Sequence, residues 1–474
     1  MKFVHVKLLV FFLFLLCTTP LTVSANAGPS YWHGYPSYEV LAVDKDCPLQ
    51  VKSERLLFDL SADSRSSYTV QGQVTAAYRM LNPTANDLAV QMAFPLISSP
   101  AAFSAQNVTV TVDDRDVPYR LYLGNAVDSY GAEGEEKNLA FDDILATVTN
   151  QPYQPEHFSG QETGQLYSLE VTPTTDQSIH LVVDFEFDPD KTSILTNGFS
   201  RFERHGNLVR VASRCYEPRR LEIFVIGADI DFKTSAYIDG QLQQRTNLYS
   251  IHTSKGKVAL RPYLLSSLKS WLEELAAETG TTIPLARTFS EQQLYDLYAS
   301  ALDRYLTGGF CELQELHHVL HEERVLTLVY DVDFPARSTR KVNVTSNTVA
   351  TMDRRKTAHP VYTFTHILNP ARYWNSFGSL TIDISTPPEA PHVIASNLDL
   401  TQIEEQRYTT TVPSLPDHDF VFSIYAHKSI SLLDRITGVF NASFEYSILL
   451  VVGGIILAGM VVVLTGLTRF LRHK

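Results

Sequence analysis

Cysteine is scarce, with four in 474 residues. Cys17 falls in a leading segment whose pattern predicts removal, which leaves Cys47, Cys215 and Cys311. An odd number allows at most one internal disulfide. A disulfide-stapled fold is therefore excluded, and apolar burial must hold the core. Nucleophile and phosphate motifs are also missing. There is no G-x-S-x-G elbow, no G-x-x-x-x-G-K-[ST] loop and no dinucleotide glycine fingerprint. Positive charge is in short supply: 39 Lys and Arg stand against 52 Asp and Glu, a formal net charge of −13. Five of the basic residues lie in the two end segments, so 34 face all 52 acids in between. That balance repels nucleic acid and anionic polymers, and it excludes binding to them through a basic face.

What is present begins with the two ends. Lys2 and Lys7 precede the apolar run Leu8 to Leu16, and small residues offer cleavage after Ala25 or Ala27. This layout predicts a secretory signal peptide over 1–25. Ile448 to Leu467 is uncharged for 20 residues, and Arg469, Arg472 and Lys474 follow. Twenty helical residues span roughly 30 Å, the thickness of a bilayer's hydrocarbon core. The pattern predicts a transmembrane helix over 448–467 and a tail over 468–474, inside by the positive-inside rule. The expected localisation is the cell membrane, single-pass, with the N-terminus outside. Gly454 and Ala458 form a small-xxx-small pair, which predicts a homodimer through the span. A separate protein partner is the other expectation.

Between the ends, period-2 alternation dominates. Val70, Gly72, Val74, Ala76, Tyr78 and Met80 alternate with polar residues. The cluster Asn82 to Asp87 predicts a turn, and Leu88, Val90, Met92 and Phe94 resume the alternation. Two strands and a turn predict a hairpin. Around Pro262 the period becomes helical. Leu264, Leu268, Trp271, Leu272 and Leu275 share a stripe closed by Gly280, and Ser290 with Gln293 reads as a capping box. Strands resume after Glu323. The fold class read from this is mainly β (α+β): two antiparallel β-sandwich-like modules joined by a small helical segment. The boundaries are 28–260 for the first module, with an acidic loop insertion at 124–168. Then follow 261–322 for the helices, 323–427 for the second module and 428–447 for a connector.

Candidate chemistry concentrates at 311–322. His317 and His321 stand i, i+4 on a predicted helix, with Cys311 and Glu322 near in sequence. Imidazole, thiolate and carboxylate at that spacing could hold zinc. Against this, H-E-x-x-H is absent, and a polar helix face explains the same residues. Asp44 with Asp46, Asp113 to Asp116, Asp142 with Asp143, and Asp331 with Asp333 raise calcium, but none has the Asp-x-Asp-x-Asp-Gly loop. No catalytic residue and no cofactor is assigned; zinc and calcium stay as secondary readings.

Short motifs carry a resemblance. Leu81-Asn-Pro-Thr with Val90-Gln-Met-Ala-Phe-Pro-Leu96, Leu221-Glu-Ile-Phe-Val-Ile-Gly227, and Leu368-Asn-Pro-Ala-Arg-Tyr-Trp374 are similar to motifs of membrane-anchored exported β-sandwich proteins of Gram-positive bacteria. A fainter similarity is to the N-terminal sandwich module of inter-alpha-trypsin inhibitor heavy chains. The Asp-x-Ser-x-Ser signature of that family's adhesion domain is missing here. The resemblance implies exported β modules and transfers no catalytic residue. The expected function is a membrane-anchored extracytoplasmic binding or structural module without intrinsic catalysis. The alternatives are a metal-assisted hydrolase built on 311–322, or a sensor ectodomain that signals through a membrane partner.

Overall fold

Strand Gln71–Leu81 turns Val74, Ala76, Tyr78 and Met80 to one face and buries them, as its alternation predicts. Its partners differ from those expected. In the computed structural model it pairs with Gln50–Asp59 on one side and with Thr339–Val349 on the other. The strand after the turn, Leu88–Ser98, pairs with Arg324–Phe334 instead. The predicted hairpin is therefore an arch that carries the chain from one sheet to another. Residues 335–338 make a second arch beside it. The structure describes residues 30–44, 46–61, 68–105, 108–127, 148, 151–280 and 285–438.

Asn82 explains why the chain arches here. Its side chain is fully buried. The amide nitrogen donates to the carbonyls of Asn86, Phe334 and Pro335 at 2.8, 3.0 and 3.1 Å. Its oxygen accepts from the Thr84 N–H at 2.9 Å. One buried amide thus satisfies backbone groups of both arches, which would otherwise be left unpaired.

The larger body is built from three sheets. An eight-stranded sheet runs in the order Thr401–Glu404, Arg407–Val412, Ser376–Ser385, Gln50–Asp59, Gln71–Leu81, Thr339–Val349, Thr109–Val112, Arg115–Asp116. A four-stranded sheet is centred on Leu88–Ser98 and Arg324–Phe334, and a six-stranded sheet on Val361–Ile367 and Phe420–Tyr425. Leu56, Phe58, Tyr78, Leu328, Phe364, Leu380, Phe420 and Phe422 from these sheets share one core. The smaller body spans Thr163–Ala259. Its two five-stranded sheets face each other across a second core, with Leu169, Leu181, Val211, Leu221 and Ile223 at the centre.

The helices join the two bodies. Leu260–Thr279 ends at Gly280 in the left-handed conformation, φ 67°, as its terminal glycine predicts. Glu291–Leu306 starts with the predicted Ser290–Gln293 capping box. Phe310–Glu312 then adds a parallel strand to Thr192–Asn197 of the smaller body. Tyr263 stacks on Phe224 at 4.7 Å, so the helices also seal the outer face of that sheet.

The fold is mainly β, as expected. Other expectations require correction. The strands assigned to separate modules at 28–260 and 323–427 interleave in shared sheets. Residues 50–126 lie with 324–425, because each strand's apolar face is completed only by the distant segment. Among the described residues, no helix is long and apolar enough to cross a membrane. The longest, Leu260–Thr279, carries Arg261, Lys269, Glu273, Glu274 and Glu278. The single-pass membrane assignment, the cell-membrane localisation and the membrane as partner are corrected on that finding. The predicted signal peptide, residues 128–147 of the acidic loop insertion, the span at 448–467 and its Gly454 and Ala458 contact lie outside the described residues.

This interleaving has a direct test. In a fragment of residues 28–260, the strands 163–259 keep all their partners except Phe310–Glu312 and should give dispersed amide resonances. Residues 50–126 lose the partners in 324–425 and should collapse to random-coil shifts. Dispersed signals over 50–126 would contradict the pairing.

Candidate functional site

A carboxylate at a core position is costly unless it is paired or protonated. This chain places two such groups together. A bulge at Lys52 shifts the alternation of Gln50–Asp59, so that Val51 and Glu54 both face inward. Gly378 allows the bulge, because a Cβ there would lie 2.1 Å from the Lys52 carbonyl oxygen. Glu54 then points in beside Leu56 and Phe58 at 2% exposure. Glu39, at 0%, comes from the N-terminal segment, and His366, at 1%, from strand Val361–Ile367. Ligand atoms of Glu39, Glu54 and His366 lie within 4.8 Å of one another.

Hydrogen bonds orient this group. His366 Nε2 donates to Glu39 Oε1 at 2.6 Å. That tautomer leaves Nδ1 to accept from the Ser37 hydroxyl at 2.7 Å. The Tyr78 hydroxyl donates to the other oxygen of Glu39 and accepts from the Val40 N–H at 3.2 Å. The Trp374 indole N–H reaches the Val40 carbonyl at 3.2 Å. Glu54 faces Glu39 and the Tyr78 hydroxyl, with neither of its oxygens in a well-formed hydrogen bond among the described residues. Burial, and then the charge of Glu39, push its pKa well above the ordinary range. A protonated Glu54 supplies the missing donor itself, to Glu39. The arrangement is a proton-sharing network that ties the N-terminal segment to the core. The same three residues could hold a divalent ion only by breaking the 2.6 Å contact.

In front of this network lies a cleft of about 680 Å³. Tyr31, Trp32, Tyr35 and Tyr38 of the N-terminal segment line it, together with Phe94 and Phe103. Ser37 and Tyr38 line the cleft, and Ser37 joins the network behind it. Polar residues of the lining include Gln71, Asn347, His33 and Glu323, and among the described residues it holds no Lys or Arg. Burial and the nearby Glu323 push the Tyr35 phenol up to about 12. Burial lowers the His33 pKa and raises that of Glu323, so both groups shift toward their neutral forms. The segment lies close to the sheet because residue 34 is glycine. A Cβ there would meet the Ala350 carbonyl carbon at 2.4 Å.

The residues singled out at 311–322 are placed differently. Their predicted helix is α only over Leu313–His317 and tightens to 3₁₀ over His318–Leu320, so His317 and His321 lose the i, i+4 face. His317 is buried, stacks on Trp271 at 4.5 Å and bonds the Tyr298 hydroxyl through Nδ1 at 2.6 Å. Burial lowers its pKa to about 4. His321 meets the same indole edge-on at 6.4 Å. Glu322 binds Arg304 at 3.0 Å and Arg324 at 3.2 Å. Cys311 is fully buried, and burial raises its thiol pKa above the usual range. These four do not converge as a ligand set. Of the two histidines, only His317 lines a second cavity, of about 650 Å³, beside Glu222, Glu274 and Arg220. Cys47, Cys215 and Cys311 are all free and buried. Among the calcium candidates, Asp113 binds Arg340 at 2.5 Å and Asp331 lies 3.6 Å from Arg120. Asp142 and Asp143 lie outside the described residues.

No family model matches the sequence, and no curated protein matches it significantly. A solved structure of a proposed nutrient binding protein from Legionella pneumophila is similar over 84% of this chain and 73% of its own. The identity is 9% and the TM-score 0.33, so that similarity supports no argument about site or function.

The shared proton predicts a pH dependence. The pKa of Glu54 is raised in the folded chain, so the folded state holds a proton that the unfolded state releases. The stability linked to that proton is whole below the ordinary value of 4.5 and declines as pH rises toward the folded value. Glu54→Gln keeps a donor and removes the titration. Its melting temperature should stay close to that of the parent chain near pH 4.5 and exceed it by several degrees at pH 8. Parallel melting curves across that range would rule out the shared proton.

Proposed function

We propose that this chain is a binding module without chemistry of its own, built as two sandwich-like bodies joined by the helices. Its ligand site is the aromatic cleft, and its ligand is a small neutral molecule with an apolar face and polar edges. The observation that carries this reading is the cleft's lining: several aromatic rings, amide and hydroxyl groups, and no Lys or Arg among the described residues. A volume of about 680 Å³ lies within the range that small-molecule sites occupy. Rigid aromatic rings supply contact area at low entropic cost, while amides fix orientation. Without Lys or Arg, nothing compensates the desolvation of an anionic ligand. The buried network fits this role, because it fixes the aromatic wall before a ligand arrives.

Metal-assisted hydrolysis from 311–322 has less support. The His317 Nδ1 is taken by Tyr298, and Glu322 is occupied by two arginines.

The neutral dye Nile red serves as a probe. It should bind saturably at one site per chain, and neutral oligosaccharides are the natural competitors to screen. Trp32 is 41% exposed and lines the cleft, so Trp32→Ala should leave the fold intact. Trp32→Ala and Tyr35→Ala should each weaken the dye about tenfold, or 1.4 kcal/mol. Binding that is non-saturable, or as tight in both variants as in the parent chain, would overturn the assignment.

A further inference from the structure

A second group of ligating atoms lies away from the cleft, where three separate parts of the chain meet. His359 comes from the loop before strand Val361–Ile367. His427 follows strand Phe420–Tyr425. Asp434 comes from the short helix 432–438. A nitrogen or oxygen from each lies within 4.8 Å of the others. The two imidazoles are exposed, 5.0 Å apart and nearly perpendicular at 85°. Both stand edge-on to the buried ring of Tyr425, at 6.1 and 5.9 Å.

The surroundings hold these groups in place. Asp434 Oδ2 accepts from the Ser431 N–H at 2.9 Å and from its hydroxyl at 2.8 Å. Those two bonds keep the carboxyl ionised, below its usual range, and leave Oδ1 available. On the opposite side, the Thr357 hydroxyl donates to the His359 carbonyl at 2.7 Å and fixes the loop. The helix seats directly on that loop. A Cβ at Gly438 would lie 2.2 Å from the Thr357 nitrogen. Ligand, orienting partner and backbone contact therefore belong to one assembly, as metal sites require.

From this geometry we propose that His359, His427 and Asp434 bind a divalent transition metal, with zinc the ion their chemistry suits best. Two imidazoles and one carboxylate leave a fourth position facing solvent. The two nitrogen donors disfavour calcium and magnesium, which take oxygen ligands. Closing the ligand atoms onto zinc needs only side-chain rotation, because metal–ligand distances of about 2 Å place tetrahedral neighbours roughly 3.3 Å apart. The ion would clip helix 432–438 to the strand that ends at Tyr425. It would fix the direction in which the chain leaves the larger body.

Zinc chloride titrated into the full chain tests this. The parent protein should bind one more zinc per chain than His427→Ala, measured by calorimetry and by metal analysis after dialysis. Asp434→Asn should weaken that zinc at least tenfold. Glu54→Gln should leave it unchanged, which separates this site from the buried network. Zinc should also slow amide exchange over 432–438 in the parent chain and not in His427→Ala. Equal stoichiometry in the parent and His427→Ala, or equal exchange with and without zinc, would overturn the proposal.

Discussion

Strand Gln71–Leu81 pairs over its whole length with Thr339–Val349, which lies far along the chain. The architecture follows from that constraint. A local hairpin would have left the inner face of each strand half covered. Two parallel-running arches, closed by the buried amide of Asn82, put the apolar faces of several sheets against one core. Such pairing requires closure of a very long loop before any contact is gained, so it is entropically demanding. The smaller body, Thr163–Ala259, closes shorter loops, because its strands find their partners within that one segment, apart from Phe310–Glu312. It fills the interval between the two halves of the larger body.

The same constraint produces the buried network. Glu54 and Tyr78 are partners on adjacent strands, and His366 and Glu39 meet them because the distant strands pack on the same core. A carboxylate pair in a dry core is tolerated because one partner keeps its proton and the other accepts two donors. The energetic cost falls where it has a structural effect. The network holds Ser37, which lines the aromatic cleft beside Tyr38. Core electrostatics and the shape of the site are thus parts of one arrangement.

The sequence carried partial signs of this site. Glu54 stands in phase with Leu56 and Phe58, and His366 in phase with Tyr362 and Phe364. A charged or titratable residue on the apolar phase of a strand is the mark of a buried polar group, and these two could have been found that way. Glu39, between Tyr38 and Val40, offered no such phase. The reading at 311–322 followed spacing alone. It missed because Leu313–His317 tightens into a 3₁₀ turn and the imidazole of His317 slots between Trp271 and Tyr298. Tyr31, Trp32, Tyr35 and Tyr38 stand close together in the sequence as an aromatic segment. Its place as the wall of a cleft depended on which sheet it joined.

Local chemistry was determined by the sequence itself. Period-2 alternation made strands, Ser290 and Gln293 capped a helix, Gly280 ended another, and scarce cysteine left the core to apolar packing. These features depend on neighbours within a few residues, and each could be read where it stood. Partner choice belonged to the tertiary structure alone. Which strand completes Gln71–Leu81, which acids meet in the core, and which histidines gather near Asp434 depend on surfaces brought together from distant parts of the chain. Alternation tells a strand which face to bury, and many strands offer an equally apolar face. Only the packed whole selects among them.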